Sequence, residues 1–248
     1  MAQASTQITA AQQAGSSRGR ELLPLVLGVK RKQWRSTDEA MEIDPAFKEA
    51  KIKALRRDNY RCQFCAFSLP RYLEAHHLND DHSTHALENL VTACAWCHGC
   101  HHVGFRGVHQ LAVLAIHPEW PTKDLPSQWQ LHHLLRSILI VPQAQMEHAQ
   151  DLVNFLFGEC TNAVTNWMPT ADPTWLGERL LELNDAQYAD RAGFLKGVRL
   201  LPQLGPPDAP MAPATARQWQ RENELRDYWN KETLNRVGGD WSRYEVRR

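Results

Sequence analysis

Apolar residues recur at helical spacing over much of the chain, which is typical of helices that bury one face. The spacing predicts helices over 44–59, 129–140, 144–157, 172–183 and 185–195. Asp44-Pro45 favours a helix start, because Asp caps the first turn and proline fits its first position. Gly158 is expected to end the third helix.

Shorter segments have a mixed pattern that is typical of strands and loops. Residues 66–78 and 87–93 are predicted to be strand-like, and 95–103 to form a short helix. The apolar run at 22–27, followed by basic residues up to Arg35, predicts a strand with a basic exit. At the ends of the chain the pattern predicts a loose polar tail over 1–20, a proline-rich linker over 205–213 and a polar helix over about 214–236.

The composition is that of an ordinary globular protein, with 43% hydrophobic and 23% charged residues. Lys plus Arg and Asp plus Glu number 28 each, so a protein that works by general attraction to nucleic acid is disfavoured. The longest apolar runs, such as 111–116, are too short to span a bilayer, and we expect no insertion into a membrane. The polar N-terminus lacks the features of a secretory signal, which predicts a cytoplasmic location.

Four of the six cysteines form two C-x2-C pairs, Cys62/Cys65 and Cys94/Cys97, with 28 residues between them. Thiols stay reduced in the cytoplasm, so such pairs indicate a tetrahedral zinc site and not disulfides. Two redox pairs or chance spacing are the alternatives. Cys100 extends the second pair and is expected to be a bystander. Cys160 is predicted to be a small buried apolar residue.

Eight of the twelve histidines lie between positions 76 and 109. His76-His77, then Asn89-Leu90-Val91, then Cys97-His98 follow one another in the order of the HNH, or ββα-metal, nuclease motif, which this segment resembles. The resemblance implies that His76 and His98 bind a divalent metal, that His77 is the general base and that Asn89 braces the loop beside it. Asp80 and Asp81 are possible additional ligands. The remaining histidines, His82, His85, His101, His102 and His109, are expected to be solvated.

A wider segment resembles the IcmJ/DotN family of type IVB secretion systems. The resemblance runs from about residue 47 to residue 202, and its marks are RDNYRCQFCAF, LENLVTAC, the C-x2-C-x2-C cluster and VRLLP at 198–202. It implies a zinc-binding, HNH-like component of the coupling protein complex, associated with the coupling ATPase. Family members keep the cysteine frame but lack the metal-site histidines, whereas His76, His77, Asn89 and His98 are all present here.

Together these patterns predict an α+β fold with a zinc-stapled HNH-like ββα core of two CxxC knuckles and a mainly α-helical C-terminal body. The expected division is a tail over 1–43, a zinc-binding domain over 44–110, a helical body over 111–204, and a linker with a C-terminal helix over 205–248.

Two functions remain open at this stage. One is an assembly factor with structural Zn²⁺ that docks on the coupling ATPase and is recruited to the inner membrane through the secretion complex. The other is a metal-dependent endonuclease with a second Mg²⁺, Mn²⁺, Ni²⁺ or Zn²⁺ ion, for which DNA is the partner. Residues 48–61 hold six Lys or Arg against two Asp or Glu, which indicates either a phosphate-binding face or an ordinary solvated helix face.

Overall fold

The computed structural model describes residues 21–31, 45–68, 72–79, 84–139 and 146–204. In chain order the elements are α1 (Pro45–Arg57), β1 (Leu73–His77), β2 (Leu90–Cys94), α2 (Ala95–Cys100), α3 (Val103–Val108), β3 (Ala112–Ala115), α4 (Gln128–Ile138), α5 (Met146–Asn154), α6 (Pro173–Glu182), α7 (Asp185–Ala189), α8 (Arg191–Phe194) and β4 (Arg199–Pro202). The predicted α+β class is confirmed. Within the described residues, no helix has both the length and the apolar character needed to cross a membrane.

Several predictions fall on parts of the chain outside the described residues. They concern the tail over 1–20, the Asp44 cap, the loop residues Asp80, Asp81 and His82, the linker over 205–213 and the helix over 214–236.

The strands β1 and β2 form an antiparallel hairpin that leads directly into α2. The register pairs Leu73 with Cys94 and His77 with Leu90. One face of the hairpin packs on α1, where Ala54, Ala75 and Leu90 form a small apolar cluster. Since side chains alternate across a strand, the other face of β1 is left for Glu74 and His76.

Asp58, just after α1, ties this helix to the hairpin. Its carboxylate accepts two bonds from Arg57 and one from the buried Thr92 backbone N–H, each 2.9 Å long. Burial raises the pKa of Asp58, but the bonds from Arg57 and Thr92 outweigh that effect and hold the pKa below its usual value. The Asp58 carboxylate therefore holds β2 at Thr92, two residues before Cys94, the first cysteine of the second pair.

The helical body shares a hydrophobic core with the cysteine-bearing segment. This core joins side chains from the first knuckle, the hairpin, α2, α4, α5 with the helical turn that follows it, and β4, among them Phe64, Leu73, Trp96, Leu131, Leu134, Leu156 and Leu201. A second contact lies where α3 crosses α6. There the backbones approach so closely that a Cβ on Gly177 would lie 2.5 Å from the Gly104 Cα. The body is thus packed directly against the segment that carries the cysteines.

The predicted helix stop at Gly158 is wrong. After α5 the chain continues through a π-helical turn (Phe155–Cys160), a helical turn (Thr161–Ala163) and a 3-10 turn (Val164–Asn166). Leu156 and Cys160 are buried on either side of the glycine. Their packing outweighs the cost of a glycine in a helix, which is about 1 kcal/mol. Cys160 is buried, as predicted.

The strand predicted over 21–35 is also wrong for its described part, 21–31, which has no regular secondary structure and joins no sheet. Its backbone bonds instead with the first knuckle, through Leu23 N to Gln63 O, and with the end of α2, through Gly28 N to Cys100 O. The helix predicted over 185–195 is divided at Asp190 into α7 and α8. The sequence pattern does not predict β3, which pairs antiparallel with β4.

Candidate metal centres

The two C-x2-C pairs come together because each lies at a sharp turn of the backbone. In the first, the Ala66 N–H bonds to the Cys62 carbonyl at 2.9 Å and Ala66 has a φ of 60°. In the second, Cys94 ends β2 and Cys97 lies in α2. The four sulfur atoms lie within 4.8 Å of one another, and all four cysteines are free and buried.

The sulfur geometry suits one tetrahedral metal ion. Four Zn–S bonds of about 2.3 Å in a tetrahedron place neighbouring sulfurs about 3.8 Å apart. Cys65 Sγ lies 3.7 Å from Cys94 Sγ. The group Cys62, Cys65, Cys94 and Cys97, here called the four-cysteine site, could therefore hold one ion, and an all-thiolate donor set is typical of structural zinc.

Arg136 of α4 lies directly against the four-cysteine site. Its Nη2 donates to Cys94 Sγ at 2.8 Å and its Nη1 to Cys65 Sγ at 3.5 Å. The guanidinium stacks on the Phe67 ring at 4.1 Å and on the Trp96 ring at 4.6 Å. Burial lowers the pKa of Arg136, but the adjacent cysteine sulfurs outweigh it and hold that pKa above its usual value. A permanent positive charge thus lies beside the sulfurs.

His132, one turn before Arg136, contacts a third ligand. Its Nδ1 lies 3.4 Å from Cys97 Sγ, and its Nε2 lies 2.9 Å from Gln128 Nε2. The Gln128 amide is oriented by both backbone groups of Leu200, because its oxygen accepts from the Leu200 N–H and its nitrogen donates to the Leu200 carbonyl. His132 Nε2 therefore accepts, and Nδ1 carries the proton that points at Cys97.

Two further residues complete this side of the four-cysteine site. His133 Nε2 lies 2.6 Å from the Cys65 carbonyl, to which it donates. The Cys100 sulfur is not one of the four clustered sulfurs and lies 3.8 Å from His132 Nε2. Burial raises the pKa of the Cys100 thiol. Cys100 is therefore a neutral neighbour of the site, in line with its predicted bystander role.

A second group of ligand atoms lies on the opposite face of β1 from α1. It consists of His76, His98 and His102, whose ring nitrogens lie within 4.8 Å of one another. His98 Nε2 and His102 Nε2 are 3.0 Å apart. His98 Nδ1 bonds to the Glu74 carboxylate, which leaves Nε2 directed toward the other two rings. We call these three residues the three-histidine site.

Glu74 completes the pattern of a metal-binding histidine held by a carboxylate. Burial raises the pKa of Glu74, but the electrostatic interaction and hydrogen bond with His98, with Arg106 and Lys51 nearby, outweigh that effect and bring the pKa to about 2. Glu74 is thus ionised at neutral pH. Three imidazoles are a donor set that suits Zn²⁺, Ni²⁺ or Co²⁺ better than Mg²⁺.

His102 and His101 differ from their prediction as solvated residues. His102 joins the three-histidine site, and His101 is 8% exposed and stacks on His76 with ring centroids 4.0 Å apart. Burial lowers the pKa of His101 to about 3. His109 is exposed, as predicted, and His85 is partly buried against His77. The four-residue interval from His98 to His102 is the sequence signal that could have identified the third ligand.

The predicted base and its brace lie at the end of the hairpin. His77 is 1% exposed, and its ring stacks on that of Phe47 in α1 with a centroid distance of 5.5 Å. The distance between His77 Nε2 and His85 Nδ1 is 3.2 Å. The Asn89 side chain makes two hydrogen bonds with Asn79. Its Oδ1 accepts from the backbone N–H of Asn79, and its Nδ2 donates to the Oδ1 of Asn79. Asn89 thereby joins the two ends of the loop that follows His77.

Comparison with known proteins gives one informative relative. The chain is 31% identical over 166 residues to the type 4 apparatus protein DotN of Legionella pneumophila subsp. pneumophila. The aligned region covers 66% of this chain and 76% of the Legionella protein. No protein-family model matches the chain.

Proposed function

The chain belongs to the IcmJ/DotN family, and from this premise we propose that it is a zinc-binding component of a type IVB secretion or conjugation apparatus that docks on the coupling ATPase. The four-cysteine site holds structural Zn²⁺ in this proposal. The protein works in the cytoplasm and reaches the inner membrane by joining the secretion complex.

The extent of the similarity is the observation that carries this proposal. An alignment of 166 residues is longer than the 44–110 segment that holds both candidate metal sites. The similarity therefore extends beyond that segment into the helical body. A nuclease motif alone would account for similarity only around the ββα hairpin, whereas a common role in an assembly accounts for similarity in the body too.

An apolar groove between α3 and α6 is the surface that we assign to the docking contact. It forms a cavity of about 290 Å³, and its walls include Phe105, Val108 and Leu181. These side chains are 40%, 60% and 42% exposed. Such a groove suits an extended or helical segment of the ATPase that inserts apolar side chains. The groove is fixed in place because α3 follows the α2 helix that carries Cys97.

The second candidate function is a metal-dependent endonuclease, and the three-histidine site favours it. A divalent ion bound there would polarise a phosphodiester and stabilise the leaving oxygen. His76 and His98 would hold it together with His102, and Asn89 would brace the loop beside the base. His77 weighs against this function, because its ring is buried between α1 and His85 on the other side of the strand.

The electrostatic case for DNA is also modest. Of the basic residues on and after α1, Lys53 pairs with Glu49, and Arg57 bonds to Asp58 and to the Leu87 and Leu90 carbonyls. This leaves a small positive face on a chain whose net charge is zero. Affinity for DNA falls as phosphate contacts become fewer, so this face gives the endonuclease little support.

Co-purification with the coupling ATPase tests the assembly proposal. The full-length, metal-loaded chain is mixed with the ATPase of its own secretion system and separated by gel filtration. A stable complex of the two proteins is the expected result. Separate elution of both proteins at micromolar concentration would overturn the proposal, because a subunit of the coupling complex must bind its ATPase.

A further inference from the structure

Helix α4 presents N–H donors to three sulfurs of the four-cysteine site, although it lies more than 30 residues beyond the last cysteine ligand. We propose that Arg136 and His132 are positioning residues of this site, which hold its metal in place and make metal retention depend on the packing of α4. The inference rests on the proposed occupation of the site by Zn²⁺.

Arg136 connects the two knuckles. Its two donors reach Cys65, from the first C-x2-C pair, and Cys94, from the second. The ring of Phe67 follows the first pair, and the ring of Trp96 lies within the second, so each knuckle supplies one aromatic contact to the same guanidinium. A planar fork that is stacked in this way is pre-organised for two acceptors.

The positive charge of Arg136 compensates the negative charge of the metal-loaded four-cysteine site. Four thiolates around one divalent cation carry a net negative charge, and burial of an uncompensated charge is costly. Arg136 is 3% exposed, so its own positive charge is buried and needs an opposite charge nearby. Each group thereby offsets the cost of burying the other.

His132 has a fixed direction of donation. The Leu200 backbone of β4 orients Gln128, Gln128 donates to His132 Nε2, and the His132 Nδ1 proton is left for Cys97. Donors of this kind to ligand atoms restrain the ligand and adjust its electron density. The connection runs from a strand of the body to a metal ligand.

The consequence is that metal binding and packing of the body are coupled. Loss of the metal leaves Arg136 buried beside thiols that carry less charge, which weakens the packing of α4 on the knuckles. Conversely, displacement of α4 removes three N–H donors from the sulfurs and eases metal loss. The metal therefore joins the two knuckles to each other, and through α4 it also joins the ββα unit to the helical body.

Transfer of zinc from the full-length protein to a chromogenic chelator measures this role. We expect Arg136→Met to release zinc about 10- to 100-fold faster than the parent, with a partial return in Arg136→Lys, which keeps the charge but loses the fork. We expect His132→Leu to release faster as well. His132→Asn keeps a donor near the Nδ1 position and should restore slow release.

Leu131→Ala is the matched control, because Leu131 lies on the same helix and is buried but donates nothing to a sulfur. It loosens the packing of α4 but keeps all three N–H donors, so we expect a smaller rise in zinc release than in Arg136→Met. Co²⁺ in place of Zn²⁺ gives a second readout. Loss of N–H donors raises the energy of the sulfur lone pairs, so the sulfur-to-cobalt charge-transfer band should move to longer wavelength in Arg136→Met and stay unchanged in Leu131→Ala.

The outcomes separate this inference from the proposed function. If Arg136→Met and Leu131→Ala release zinc equally fast and share the parent's cobalt band, the residues are merely structural and the inference is wrong. If Arg136→Met does not fold, His132→Leu is compared with His132→Asn. Faster zinc release and a shifted cobalt band in His132→Leu but not in His132→Asn support the inference, and equal behaviour of the two variants refutes it. A parent protein that binds no zinc would instead refute occupation of the four-cysteine site.

Discussion

His76 and His77 are consecutive residues of β1, yet their rings lie on opposite faces of the hairpin. The His76 ring lies 5.4 Å from that of His98 and stacks on His101, whereas the His77 ring stacks on Phe47 of α1. This separation follows from the alternation of side chains along a strand. It places a candidate metal ligand on one side and the residue that resembles a general base on the other.

Because His77 is buried, we expect the full-length protein to leave supercoiled plasmid DNA intact in Mg²⁺, Mn²⁺ or Ni²⁺. A general base must come within hydrogen-bond reach of the attacking water. Gel electrophoresis of the plasmid after incubation measures the outcome, with His77→Ala as the companion variant. Cleavage by the parent that is lost in His77→Ala would establish the endonuclease instead.

The three-histidine site should bind a borderline metal independently of the four-cysteine site. In protein that carries one zinc per chain, titration calorimetry with Ni²⁺ or Co²⁺ is expected to show one further site. His98→Ala should abolish it, and Glu74→Gln should weaken it about 10-fold, because the amide no longer holds His98 by charge. His109→Ala is the control, since this exposed residue is outside the site. Equal binding by parent and His98→Ala would contradict the assignment.

Asp58→Ala is expected to lower the free energy of unfolding by about 1–3 kcal/mol, because the buried Thr92 N–H and the Arg57 fork lose their acceptor. Urea unfolding in excess zinc, which keeps the four-cysteine site loaded, is the measurement. Asp185→Ala is a fitting control, since its side chain is fully exposed and pairs with Arg31 at the surface. A parent-like midpoint for Asp58→Ala would show that the Asp58 bonds contribute nothing.

The groove assignment predicts that Val108→Lys weakens co-purification with the coupling ATPase and leaves the fold intact. A lysine at this 60% exposed position places a charge in the apolar groove. Phe194→Lys is the matched control, because Phe194 is 53% exposed but does not line the groove. Gel filtration of each variant with the ATPase measures the difference. Loss of the complex in Phe194→Lys but not in Val108→Lys would place the contact elsewhere.

The sequence predicts those site residues whose spacing to their near neighbours in the chain is itself informative. Two C-x2-C pairs each define a turn, so the four-cysteine site could be predicted from spacing alone. His76, His98 and Asn89 are identified by the resemblance to the HNH motif, and not by spacing alone. His102 was missed because a histidine at a helix end has no local mark beyond its distance from His98.

Long-range contacts account for most of what the sequence could not supply. Arg136 and His132 lie in an amphipathic helix whose pattern predicts burial, but nothing in that pattern says that the buried face meets four sulfurs. Gln128 depends on the Leu200 backbone, 72 residues away. The continuation of the helix through Gly158 likewise depends on the burial of Leu156 and Cys160, which outweighs a strong local signal.

Metal content is the measurement that tests the central claim most directly. The full-length protein is purified without added metal, and its zinc is determined by elemental analysis beside Cys94→Ser and Cys160→Ser. The account predicts that Cys94→Ser carries one zinc per chain fewer than the parent, with a large loss of folded protein, and that Cys160→Ser keeps the parent's zinc content. A parent without zinc, or a Cys94→Ser protein with the same zinc content as the parent, would contradict it.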